Sequence, residues 1–276
     1  MRNKTIMIIA LTIFGLLIMT LVVGKINLSV QFNKEVKELF SESKDISEKT
    51  FSYEQLAGLP EPVQRYFKHV LKDGQPFISY IRLTHDGQFK TGQDKNWVNI
   101  KGEQYFTAEK PGFIWKGTTS MFTARDMYIA EKGRLLVSLL SLINVVDGQG
   151  ENFNEGELQR WLAECVWFPT SLLASERIGW SAIDSQAAKL TFNYKGLSIF
   201  YVVTFNETGE ITQMETKRHM SKESKETWLG KLADYKELNG IIVPTTIEAI
   251  WKLEKGDYSY AKFNVKKIEY NRPEKF

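Results

Sequence analysis

The chain has 276 residues, of which 43% are hydrophobic, a composition of ordinary folded proteins and not of disordered or low-complexity chains. Its net charge of +3 comes from interspersed lysine and glutamate without a basic block, so nucleic acid is excluded as an expected partner. The single cysteine, Cys165, excludes an intrachain disulfide and leaves the redox compartment open.

Residues 1–4 form a short basic head carrying Arg2 and Lys4. No charged residue occurs from Thr5 to Gly24, and at about 1.5 Å per residue that run matches a hydrocarbon core of roughly 30 Å. Residues 5–24 are therefore read as a single transmembrane anchor. A cleavable signal peptide is the alternative, but the Leu21-Val22-Val23-Gly24-Lys25 end is a poor match to a small-residue cleavage site. Lysines near the two ends of the run nearly balance, and the short basic head decides for export, giving a cell-membrane protein with an extracytoplasmic domain. Residues 25–51 are rich in charge, with Phe32, Val36, Leu39 and Phe40 at helical spacing. They are read as a stalk, either an amphipathic helix or a solvated linker.

The remainder, residues 52–276, reads as one β-rich domain, because no fixed-period repeat or low-complexity tract divides it. Val63, Tyr66, Phe67, Val70 and Leu71 form an i, i+3, i+4, i+7, i+8 stripe, Pro62 suits the first turn, and Asp73-Gly74 supplies the stop. Strand patterning follows. Trp97 to Ala108 reads as a long half-buried strand, and Lys110-Pro111-Gly112 breaks it before Phe113. Ala188, Leu190, Phe192 and Tyr194 alternate with polar residues, as do Ala261, Phe263 and Val265. Period two means one covered and one wetter face, as in antiparallel sheets. The turns at Asn206-Glu207-Thr208-Gly209, Leu238-Asn239-Gly240 and Lys255-Gly256-Asp257 separate such runs at hairpin distance.

Two segments interrupt this pattern. Leu135 to Val146 carries no charge and is too short to span a bilayer, and its periodicity leaves a buried strand and a buried helix both open. Asn154 to Cys165 predicts a helix with Asn154 as N-cap, Glu155 and Glu157 in the first turn, and Leu158, Trp161, Leu162 and Cys165 as its apolar face.

Within that helix Glu157, Arg160 and Glu164 fall near one face, and Trp167 and Thr170 follow closely. Two acids beside a guanidinium suit a polar headgroup or acid/base chemistry, so these five residues are the candidate ligand-binding set and the first three the candidate catalytic set. An ion-pair ladder that keeps an amphipathic helix soluble is the competing explanation. His69, His85 and His219 lack ligand spacing, so neither metal nor cofactor is expected. His85, beside the Gly87 bend, is expected to face solvent, with Asp86 and Gln88 sharing a strand face. No nucleophile elbow or phosphate loop is present, and Ser221 to Lys225 reads as a solvated turn. Cys165 is expected to be buried packing, and the tryptophans to serve as core and sheet cover.

Leu59-Pro60-Glu61-Pro62-Val63-Gln64-Arg65-Tyr66-Phe67 and the run from Glu157 through Trp167-Phe168-Pro169-Thr170 resemble a bacterial family known only as a domain of unknown function, which implies no activity. Asp234-Tyr235-Lys236-Glu237-Leu238-Asn239-Gly240 with Pro244-Thr245 is similar to hairpins of the lipoprotein-carrier class. That resemblance implies a mainly β, strongly curved antiparallel half-barrel whose concave side is plugged by a helix and holds acyl chains. The expected function is a membrane-anchored, non-enzymatic binding domain for a lipid or other apolar ligand. A membrane-surface hydrolase or transferase and an interaction module for an envelope protein partner are the alternatives.

Overall fold

The computed structural model describes residues 2–276. Helix α1 (Arg2–Ser41) comes first, followed by a short 3-10 turn at Tyr53–Leu56 and helix α2 (Glu61–Val70). Six strands follow: β1 (Tyr80–Phe89), β2 (Val98–Thr107), β3 (Gly112–Thr118), β4 (Phe122–Ile129), β5 (Lys132–Leu139) and β6 (Ile143–Gln149). Helix α3 (Glu151–Glu164) then leads through two 3-10 turns into β7 (Ile178–Ala182), β8 (Ala187–Tyr194), β9 (Leu197–Phe205) and β10 (Ile211–His219). The chain ends on the long strands β11 (Lys225–Leu238), β12 (Ile241–Leu253) and β13 (Gly256–Tyr270).

All strands join one antiparallel sheet in the order β6-β5-β4-β3-β2-β1-β13-β12-β11-β10-β9-β8-β7. Each half is a meander of hairpins, and the pairing of β1 with β13 closes them into one surface. The sheet curls, so that α3 touches β3 to β6 on one arm and β10 on the other. The mainly antiparallel, strongly curved architecture expected from alternation and resemblance is the one found. Asn239 and Gly240 both take positive φ between β11 and β12, the geometry an Asn-Gly hairpin supplies at least strain.

Alternation sorts the side chains into two cores. Phe106, Phe113, Trp115 and Tyr128 face the concave side with α2 and α3, whereas Tyr105, Ile114, Met127 and Leu136 face the convex side. Between Thr84 and His85 the register of β1 against β13 shifts by one residue, leaving Lys266 unpaired. This bulge resets the alternation of β13, so that Ala261, Phe263, Val265 and Ile268 all point inward.

The amphipathic stripe Phe32, Val36, Leu39 and Phe40 packs on the convex face against Tyr80, Tyr105 and Ile114. One helix therefore continues from the apolar run onto the sheet, and the solvated-linker alternative fails over this length. Arg125, buried in the convex face, donates to both oxygens of Glu35 at 2.6 and 2.7 Å. The apolar part of α1 is exposed from Thr5 to Thr20, and the helix is long and apolar enough to cross a membrane.

Three local expectations need correction. Leu135 to Val146 is neither one strand nor a helix. It spans β5, a turn at Leu140–Leu142 and most of β6, and its second half is exposed. Helix α3 begins at Glu151, and Asn154 does not cap it; its side chain instead accepts from the Gly133 amide at 2.8 Å, joining the helix to β5. His85 is buried, 3% exposed, because strand parity puts it inward with Ile81 and Leu83.

Candidate functional site

Between α3 and the two arms of the sheet lies a cavity of about 490 Å³. Its walls come from strand positions whose inward side chains are apolar: Leu135 and Val137 on β5, Met214 on β10, Leu232 on β11, Ile247 and Ala249 on β12, and Phe263 on β13. Trp115, Trp167, Trp228 and Trp251 also line it, so four of the seven tryptophans contribute wall as well as core. Val146, on the exposed edge strand β6, forms part of its rim.

The polar atoms are concentrated on one side, where α3 presents Glu157, Arg160 and Glu164 to Asp126 of β4 and Arg218 of β10. Arg160 donates from Nε to Glu164 at 3.0 Å and from Nη1 to Asp126. Its guanidinium also lies 5.0 Å over the Phe113 ring and 5.1 Å over Trp115. Glu164 accepts a second bond, 2.8 Å, from Gln104 Nε2 of β2. Arg218 donates to the Gly156 carbonyl at 2.8 Å and stacks 5.4 Å over Trp228.

Glu157 differs from its neighbours. It is 6% exposed, and its Oε2 has no hydrogen-bond partner among the described residues. Burial pushes its carboxyl well above the ordinary range, the nearby Asp126 adds to this, and Arg218 and Arg160 oppose it only in part. Burial also raises Glu164, against the pull of Arg160 and Gln104. For Arg160, burial works against the charge, but Glu164 and Asp126 outweigh it and hold the guanidinium ionised.

An aromatic stack contributed by β1, β3 and β13 backs the cavity wall. His85 lies 4.2 Å from the Phe263 ring centre, and its Nε2 accepts from Trp115 Nε1 at 2.8 Å. Burial pushes the His85 imidazole down to about 4, so it is a neutral acceptor at physiological pH. Space for this ring exists because position 102 is glycine: a Cβ there would lie 1.8 Å from His85 Nε2.

Of the five sequence candidates, Glu157, Arg160, Glu164 and Trp167 meet at the cavity. Thr170 does not. It is buried behind the site, where its Oγ1 accepts from the Ile78 amide at 3.1 Å. Arg160 and Glu164 do make an i, i+4 pair, but it is 15% exposed at each side chain and faces the cavity, unlike a solubilising surface ladder. Asp126, Arg218 and Gln104 escaped the sequence reading. The signal was present: Asp126 lies in phase with inward Ala124 and Tyr128, and Arg218 in phase with Met214 and Thr216, each a charge on a strand face that otherwise carries none.

A comparison with curated proteins gives no match. Solved structures similar in fold include a domain assigned to outer membrane lipoprotein sorting from Vibrio parahaemolyticus, at 12% identity and TM-score 0.39, covering 70% of this chain and 86% of that one. A LolA superfamily protein from Nitrosomonas europaea matches at 10% identity and TM-score 0.36 over 76% and 92% of the two chains. A DUF1329 family protein from Desulfovibrio piger matches at 8% and 0.35 over 70% and 86%. Residues 49–263 match the model of a family described as of unknown function, DUF6544, and the chain belongs to that family.

Proposed function

We propose that the chain is a membrane-anchored, non-enzymatic binding protein that holds a lipid or other apolar ligand in its concave cavity, on the extracytoplasmic side. One observation carries this reading: a cavity of about 490 Å³ whose walls are mainly apolar and whose charged groups are gathered at one place. Sites for small ligands combine these features, with apolar surface supplying affinity and a few polar groups fixing orientation. Each methylene buried there contributes about 0.8 kcal/mol. Arg218 offers hydrogen-bond donors to the oxygen-bearing end of an amphiphile, and Glu157, whose carboxyl burial pushes up, adds a polar group beside it. Helix α1 keeps the cavity near a source of such molecules.

The test is lipid analysis of the full chain purified from membranes, set beside an Ala249→Trp variant that fills the cavity from β12. The reading requires a stoichiometric lipid in the parent protein that is lost in the variant. Equal lipid content in both would refute it.

A second reading, a membrane-surface hydrolase or transferase, is favoured by Glu157 alone: a carboxyl oxygen in a cavity without a hydrogen-bond partner among the described residues, on a group whose proton affinity burial raises, has the character of a general acid. Arg160 is occupied with Glu164 and Asp126, and Glu164 with Arg160 and Gln104, so within this reading they position and do not react. It requires a turnover that Glu157→Gln abolishes while the fold persists.

A further inference from the structure

The cavity rim is continuous with an exposed apolar tip that the binding reading does not need. Leu139, Leu140, Leu142, Ile143, Val145 and Val146 are all exposed, on the end of the β5–β6 hairpin. Met121 of the β3–β4 turn, also exposed, joins them through a bond from the Leu140 amide to its carbonyl at 2.9 Å. A contiguous apolar patch on an edge strand is costly for a protein surrounded by water. The turn carries a further cost, since Leu140 and Ser141 take φ of 50° and 62°, a conformation that Asn or Gly would occupy more easily.

The position of the tip identifies what covers it. The hairpin turn lies against α1 at Gly24, where an added Cβ would come within 2.5 Å of Leu142 and 2.7 Å of the Ser141 carbonyl. Gly24 is the last residue of the uncharged run, and partial cover of α1 by the domain begins still earlier, at Leu21. If Thr5–Gly24 occupies the hydrocarbon core, Leu142 lies at the level of the membrane boundary, because it touches the end of that segment.

We propose that the β5–β6 hairpin is a membrane-dipping lip: its tip sits in the bilayer interface beside α1, and its inward residues Leu135, Val137 and Val146 lead from the bilayer into the cavity. The proposal rests on the reading of α1 as membrane-spanning and adds a path by which ligand reaches the binding site. Uncharged from Leu135 to Val146, the hairpin can enter the interface without carrying a charge into it.

The test uses the full chain in vesicles of phosphatidylethanolamine and phosphatidylglycerol, with an environment-sensitive fluorophore on Leu142→Cys or Ile143→Cys. The control is Glu207→Cys, on the exposed turn between β9 and β10 at the opposite ends of the strands. Native Cys165 is buried, and the unmodified chain measures its background labelling. Labels at 142 and 143 should emit in the blue and lose most of their emission when the vesicles contain nitroxide-bearing lipid, while the label at 207 responds only to aqueous iodide. Iodide quenching at 142 and 143 equal to that at 207 would overturn the proposal. So would shielding from iodide without quenching by nitroxide lipid, which would mean that protein covers the tip. Leu142→Asp combined with Ile143→Asp, both at exposed positions, should slow transfer of a pyrene-labelled fatty acid from vesicles several-fold, with unchanged occupancy once equilibrium is reached. If the cavity binds no lipid, occupancy is absent in every variant while the depth measurement still decides the lip, so the two failures are distinguishable.

Discussion

Acid should unfold this domain partly through one histidine. His85 has an ordinary value of 6.5, and burial pushes it down to about 4 in the fold, the bond to the Asp86 carbonyl opposing the change only in part. Because the folded value lies below the unfolded one, the stabilisation is fully present above pH 6.5 and is lost as the pH falls toward 4. At about 1.4 kcal/mol per pH unit across that gap, the loss approaches 3 kcal/mol, a large share of the stability of an ordinary domain. His85→Gln removes the titration and keeps an oxygen to accept from Trp115 Nε1. Its packing loss against Phe263 and Gly102, about 1–2 kcal/mol, is independent of pH and cancels when slopes are compared. Urea unfolding of the full chain in detergent micelles, followed by near-UV circular dichroism at about pH 7 and about pH 4, gives the comparison. The parent should lose about 3 kcal/mol more than His85→Gln between those conditions. Equal losses within about 0.5 kcal/mol would mean that His85 is hydrated or charged in the fold, and the argument for a dry aromatic wall would fail.

Gly102→Ala should cost about 2–3 kcal/mol in the same unfolding assay, since its Cβ would press into the rigid His85 ring. Gly179→Ala on β7, where nothing lies within 4 Å, should stay within about 0.5 kcal/mol, and similar costs at both positions would refute the packing argument. Arg160→Met leaves Asp126 and Glu164 in the cavity wall without their cation and should cost about 3–5 kcal/mol at neutral pH. Glu157→Gln should behave oppositely. With its folded value raised by burial, the parent gains stability below the ordinary carboxyl range and loses it as pH rises through the folded value, so the variant should be at least as stable at about pH 8. A loss above about 1 kcal/mol there would show an ionised, paired carboxylate.

Much of the sheet was legible because strands buried on one face alternate, and Asn239-Gly240 or Asn206 to Gly209 can scarcely be anything but turns. The faces themselves were less so. Alternation says that Phe106 and Tyr105 oppose each other, but only tertiary packing puts α3 on one side and α1 on the other. The bulge at Lys266 shifts phase without any glycine or proline to announce it. Local spacing placed Glu157, Arg160 and Glu164 together, since a helix turn is a local object. Asp126, Arg218 and Gln104 are brought to them by strands distant in the chain, and no window around α3 contains them. Leu135 to Val146 defeated periodicity for a different reason: the turn Leu140-Ser141-Leu142 has one serine between leucines and no Gly, Pro, Asn or Asp to mark the fold-back.

The convex face explains why a half-barrel should carry its amphipathic segment outside. A flexible tether would let the cavity turn in any direction, whereas α1 is fixed to β2 and β3 by Phe32, Val36 and Leu39 and to β4 by the bond between Glu35 and Arg125. Further along, the Tyr80 hydroxyl donates to the Ser43 carbonyl at 3.0 Å, and Lys110 pairs with Glu42. Lifting the helix would break the two bonds between Arg125 and Glu35 and expose Phe32, Val36 and Leu39 to water, so it cannot lift away cheaply. Because one unbroken helix runs from the apolar segment to these contacts, the angle of the sheet to that segment is set by packing. The same rigidity brings the β5–β6 tip against Gly24, and it makes the direction in which the cavity rim faces a property of the fold.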